Sequence, residues 1–181
     1  MSETRGSEGL VRLGPGQLPA EVQEETRRVI LFQACDEWLA LPLETVREVQ
    51  PLDRITRIPT APAEVRGVLN LHGRVLTLFG LEGCLGIPKG DESDTHVVVL
   101  ELGDPDLRIG IAVQQIGQVR RIPVSAVRPP AREGASGGLE GVFESEGKVV
   151  GLLDLARVFA RFLPEWGVTL EPRGVRDLQP R

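Results

Sequence analysis

The apolar residues of this chain fall in short runs broken by turn residues, and the runs have strand length rather than helix length. Val29-Ile30-Leu31-Phe32 is followed, after a polar Cys35-Asp36-Glu37, by Trp38-Leu39-Ala40-Leu41, the pattern of two strands joined by a tight turn. Leu43 to Gln50 carries two periods: Val46 and Val49 stand at helical spacing, and the segment predicts a helical turn running into a strand. Ile55 to Ile58 alternates apolar with polar, as a half-buried strand does. The clearest local signal is Gly67 to Phe79, where His72-Gly73 separates Val68, Leu69 and Leu71 from Val75, Leu76 and Leu78. An X-Gly pair between two such runs predicts a two-residue hairpin, because Gly73 accepts a positive φ and His tolerates one. Leu139 to Leu153 repeats the arrangement around Glu146-Gly147.

Further runs lie between these hairpins. His96 to Leu102 is nearly continuous apolar sequence and reads as a central strand, and Arg108 to Val113 and Ile116 to Ile122 follow at short spacing. Many short strands with a turn every ten or so residues predict barrels or a sandwich. Lys89–Thr95 and Pro129–Gly138 read as polar loops. One helix is expected, with Leu155, Val158, Phe159 and Phe162 on a single face, Asp154 as its N-cap and Pro164 ending it. No fixed-period repeat is read, although the strand groups before and after residue 90 are of similar size. Residues 1–26 and 164–181 are polar and turn-rich, and are expected to be flexible tails around a domain at 27–163, with Glu21 to Arg27 helical for a turn or two.

Composition narrows the function. The chain has 21 Lys+Arg against 26 Asp+Glu, a formal charge of −5, which removes the attraction that carries most nucleic-acid affinity. Aromatics are scarce, with no Tyr, so a stacking surface for bases or sugars is not expected. No apolar run reaches the length of about 20 residues that a membrane helix needs, and direct membrane insertion is not expected. Two cysteines do not make a disulfide framework, and no secretory segment is read at the N-terminus, so the expected compartment is the cytoplasm.

Chemistry is hard to find. His72, His96, Cys35 and Cys84 could ligate a metal, but none shares the close spacing that pre-assembles a site, and no metal or cofactor is expected. There is no nucleophile elbow, Walker loop or dinucleotide fingerprint. Glu44 and Glu48 could share a helical face as a carboxylate pair, and Asp154 could act as an acid, yet a solvated turn and a helix cap account for them. No enzyme is expected.

From Val46 the residues carry a resemblance. V-R-E-V, then R-I-P-T-A-P-A-E-V-R-G-V-L-N-L-H-G-R-V-L-T-L, then I-G-I-A-V-Q-Q-I-G-Q-V, and finally L-E-G-V-F-E-S-E-G-K-V-V-G-L-L-D-L, resemble in order the segments of CheW-like chemotaxis coupling proteins. The resemblance covers roughly Val29 to Leu163. It implies two packed five-stranded SH3-like β-barrels with a short C-terminal helix. It further implies a non-catalytic adaptor that couples the regulatory domain of a CheA-type histidine kinase to the cytoplasmic tip of a chemoreceptor. By the same resemblance Val46, Glu48, Gly67, Asn70, His72 and Gly73 line the receptor-binding groove. His72 stands where the family has Arg, Thr77 where it has Pro, and Gly80 and Gln114 where it has Asp.

Two other readings belong beside this one. A CheW-like scaffold could bind only one of these partners or serve a pathway other than flagellar control. From a different class, a small β-barrel enzyme or ligand-binding domain could use Glu44, Glu48 or Asp154.

Overall fold

The computed structural model describes residues 24–104, 106–130 and 137–167. The expectations for the tails fall largely outside these residues, but Thr26 and Arg27 already belong to the first strand. Ten strands form two five-stranded sheets. They run β1 (Thr26–Ala34), β2 (Glu37–Pro42), β3 (Val46–Pro51), β4 (Val65–Leu71), β5 (Arg74–Gly80), β6 (His96–Leu100), β7 (Ile109–Val113), β8 (Gln115–Pro123), β9 (Leu139–Ser145) and β10 (Lys148–Leu153). The first sheet has the order β8-β1-β2-β10-β9 and the second β3-β6-β7-β5-β4. Each is rolled, and its two ends meet at one bridge, Arg128 with Val142 in the first sheet and Thr56 with Val68 in the second. The fold is mostly β, with two SH3-like units whose barrels close at that bridge rather than along a full ladder.

The two orders are the same order. Replacing β1 by β6, β2 by β7 and β8–β10 by β3–β5 converts the first sheet into the second, down to the parallel pairs β10 with β2 and β5 with β7. Each sheet therefore takes two strands from one half of the chain and three from the other. The equivalence reaches single residues: Gly67 opposes Leu78 beside a register shift, and Gly141 opposes Leu152 beside another. Gly67-Val68 to Gly80-Leu81 then lines up with Gly141-Val142 to Asp154-Leu155 at a constant offset. The chain thus contains an internal duplication, which is not a fixed-period repeat because the offset is constant only over this stretch. The signal is faint in sequence because packing asks only for apolar positions, and the pairing partners are exchanged between halves.

Alternation decides which side chains go where. In β1, Val29 and Leu31 point into the core of the first sheet with Ala40, Phe143, Val150 and Leu152. In the second sheet Val97, Val99, Ala112, Leu69, Leu76 and Leu78 do the same. The residues between them, Ile30 and Phe32 on one side and Val98 and Leu100 on the other, meet in a central layer that joins the two units. Phe79 lies in this layer, edge-on to Phe159 and Phe162 at 5.2 Å each.

Three local expectations need correction. Ile55 to Ile58 is not a strand; Thr56 alone makes a bridge, so the alternation there reflects one bridging residue and a partly buried Ile55. The terminal helix is a single turn, α2 (Leu155–Val158), and Pro164 does not end it. Pro164 sits in the first turn of a second short helix, α3 (Leu163–Trp166), where its missing N–H costs nothing. A further helix, α1 (Leu81–Leu85), was not expected, because five residues with two interior weak points show no helical period. Asp154 does cap α2, accepting from the N–H groups of Ala156 and Arg157. Its counterpart Gly80 gives α1 no side-chain cap, since a Cβ there would press on the paired Arg66 and Glu82 side chains.

Candidate protein-binding site

The β4–β5 hairpin carries most of the residues that the resemblance places in a groove. His72 and Gly73 both take positive φ, 52° and 78°, as a two-residue turn between right-twisted strands requires. This turn projects the imidazole into solvent with 68% of the side chain exposed. Asn70 is exposed on β4 and lies opposite Val75 of β5, itself 68% exposed. β3 approaches the same tip, and Glu48 brings its carboxylate to 3.6 Å from the His72 Nε2. Gln50 donates to that carboxylate at 3.3 Å. Glu48, Asn70, His72 and Val75 thus give one end of the second unit a mixed polar and apolar surface.

The other groove residues sit differently. Val46 packs against the central layer. Gly67 is buried at φ 145°, and a Cβ there would overlap the Thr56 carbonyl that bridges β4. Its presence lets two backbones cross. Gly73 has open space around it and is needed for φ alone. Val75 is a residue that the sequence reading missed, although its outward place between Arg74 and buried Leu76 was readable from the alternation.

The carboxylates of the enzyme reading are not gathered. Glu44 belongs to a 3₁₀ turn (Leu43–Thr45) and Glu48 to β3, so they share no helical face, and Asp154 is turned to the backbone of its own helix. Burial pushes the Cys35 thiol up to about 11 and the Cys84 thiol up to about 12, with nearby carboxylates adding to the effect. Such thiols are poor nucleophiles at neutral pH.

Gln114, which stands where the resemblance expects Asp, has a definite task. It is buried at the end of β7 and its amide clasps the β1–β2 turn of the other sheet. The Asp36 N–H donates to Gln114 Oε1 at 2.9 Å, and Gln114 Nε2 donates to Asp36 Oδ1 at 2.7 Å. Asp36 also accepts from the N–H of Asp91, and this N–H, with the Gln114 amide after it, holds the Asp36 carboxyl below the usual range.

Residues 28–162 match the family model of the CheW-like domain. This chain belongs to the CheW-like family. It is 26% identical over 136 residues to "Chemotaxis protein CheW" of Rhizobium meliloti (strain 1021), covering 74% of this chain and 87% of that protein. It is 29% identical over 140 residues to "Protein PilI" of Pseudomonas aeruginosa PAO1, covering 75% and 77%. The fold is similar to that in the crystal structure of the scaffolding protein TtCheW from Thermoanaerobacter tengcongensis, with a TM-score of 0.66 at 23% identity, over 79% of this chain and 94% of that one. The CheW-like chain is a coupling adaptor of bacterial chemosensory signalling, and its family is one of non-catalytic scaffolds. Among the described residues no helix is long and apolar enough to cross a membrane.

Proposed function

We propose that this adaptor works in the cytoplasm, binding the regulatory domain of a CheA-type histidine kinase and, through the β4–β5 tip and β3, the cytoplasmic tip of a chemoreceptor. The observation that carries the receptor half is the meeting of Glu48 and His72 at 3.6 Å on an exposed hairpin beside Asn70 and Val75. Of the groove residues, Glu48, Asn70 and His72 would touch the partner. Val46, Gly67 and Gly73 would hold the surface in shape.

The imidazole reaches less far than the guanidinium the resemblance expects and cannot fork onto a carboxylate. The chain should therefore bind a conventional receptor tip weakly and its kinase normally. His72→Arg adds a charge-assisted contact of about 1.5–3 kcal/mol, roughly a tenfold gain or more in receptor affinity, with kinase affinity unchanged. Calorimetric titration of each variant with a receptor-tip fragment, and separately with the kinase domain, tests this. Tight receptor binding by the native chain with no gain from Arg would refute it.

The likeness to PilI, a relative not named as a chemotaxis protein, favours one second reading: service to a pathway other than flagellar control. Affinity capture of the chain from its own cells, with the co-eluting kinase identified, separates the two.

A further inference from the structure

β1 and β8 set two arginines face to face. In their antiparallel register Arg28 opposes Arg121 and Ile30 opposes Val119, so the four side chains share one face of the first sheet. Ile30 is buried in the central layer, Val119 is 52% exposed, and both arginines are exposed. Directly opposed residues have Cβ atoms about 4.5–5.5 Å apart, where like charges repel. The neighbouring arginines are neutralised, Arg27 by Glu140 and Arg120 by Glu146. Among the described residues, no carboxylate lies within ion-pair distance of Arg28 or Arg121.

The duplication supplies an internal control. At the equivalent register in the second sheet His96 opposes Pro51 and Val98 opposes Val49. The fold at this position needs no cation on either strand. Two opposed guanidiniums therefore add repulsion that the architecture does not ask for, in a chain whose net charge is −5.

We propose that Arg28, Arg121 and Val119 form a docking surface for an acidic, amphipathic segment of another protein. Its carboxylates would take the two guanidinium forks and one of its apolar side chains would cover Val119. The composition favours this class of occupant over others. Recognition of an anionic membrane takes clusters of about 4–8 basic residues, and this face offers two that have no carboxylate partner among the described residues. A nucleic acid would call for a basic excess and stacking aromatics, and the chain has neither. The surface is separate from the β4–β5 tip, and the inference does not depend on the coupling of kinase to receptor.

The test uses the full chain and a labelled synthetic helical peptide with Glu along one stripe and Leu along the other. Fluorescence anisotropy should show binding that weakens as salt is raised. Arg28→Gln/Arg121→Gln should lose about tenfold or more, as should a peptide with Gln in place of Glu. Arg54→Gln/Arg57→Gln, elsewhere on the surface, should bind as the native chain does. Val119→Ser, with both arginines kept, should weaken binding several-fold, which guards against a double variant that folds poorly. Failure of the native chain to bind the Glu peptide, or equal binding by the double variant, overturns the proposal. So does arginine-dependent capture by phosphatidylglycerol vesicles in place of the peptide. The peptide contains neither kinase nor receptor sequence, so this outcome is separable from the coupling titrations.

Discussion

At the tip of the β4–β5 hairpin the turn residue is His72, facing Glu48 across 3.6 Å; at the tip of β9–β10 it is Glu146, facing Arg120. The backbones are alike, with φ of 52° and 78° at His72-Gly73 and 53° and 74° at Glu146-Gly147. Each hairpin also presents an exposed valine one residue after a basic one, Val75 after Arg74 and Val149 after Lys148. What differs is polarity: the acid sits on the flanking strand in one unit and on the turn in the other. The first turn position holds two chemically different side chains at the same positive φ, so its chemistry can vary while the turn is kept. That freedom makes the tips the places where the two halves of a duplicated chain can acquire different partners.

The largest effects should come from the layer the two units share, where the comparison predicts dependence of both on the same residues. Phe159 is fully buried there against Phe79, and Phe159→Ala should cost about 3–5 kcal/mol and melt both units together. Arg157→Ala, an exposed partner of Asp154, should cost under about 1 kcal/mol. Urea melts followed by Trp fluorescence and by circular dichroism check both points. Two separated transitions in Phe159→Ala would mean that the units fold independently.

Next come the equivalent glycines. A Cβ at Gly67 meets the Thr56 carbonyl oxygen and adds strain at φ 145°, so Gly67→Ala should cost about 2–5 kcal/mol. Gly141 makes the same crossing under the Arg128 carbonyl without a positive φ, and Gly141→Ala should cost about 1–3 kcal/mol. The same melts rank them. A reversed order would show that the two crossings are not equivalent.

The clasp between sheets has a pH signature. Asp36 has a folded-state pKa below its unfolded value of about 4, so its contribution is present above that value and lost as pH falls through the folded one. Gln114→Asp removes the amide donor and sets a second carboxylate against Asp36. The melting temperature of this variant should fall furthest below the native one at pH 7. The gap should narrow as pH approaches 4 and the new pair takes up a proton. A gap independent of pH would mean that packing, not charge, is what Gln114 supplies.

These features differ in how far the sequence revealed them. Both X-Gly hairpins and the Asp154 cap were legible, because each is decided within a few residues by backbone chemistry. The groove assignment rests only on the resemblance; nothing in the local pattern of Val46 or Gly67 distinguishes packing from contact. Ile55 to Ile58 misled because one bridging residue leaves the same alternation as a strand. The duplication stayed hidden because β1 pairs with β8 and β2 with β10, far away in the chain, rather than with β3, β4 and β5 of their own half. The Arg28–Arg121 opposition is invisible for the same reason, since only the register brings them together.

The smallest expected effect bears most directly on the tips. Both contacts are open to solvent, with side-chain exposures of 68% and 30% for His72 and Glu48 and 36% and 63% for Arg120 and Glu146. Water screens such pairs, and exposed ones contribute about 0–1 kcal/mol. Arg120 carries a permanent charge, whereas His72 offers one ring nitrogen to a carboxylate that Gln50 already serves. Double-mutant cycles should therefore give a coupling of about 0.3–1 kcal/mol for Arg120→Ala with Glu146→Gln, and about half of that or less for His72→Ala with Glu48→Gln. Weak coupling at the β4–β5 tip means that Glu48 and His72 lose little by turning to a partner, whereas Arg120 and Glu146 must first release each other. A coupling at His72–Glu48 equal to or above that at Arg120–Glu146 would reverse this ordering, and with it the reason for placing receptor contact on the β4–β5 tip rather than on β9–β10.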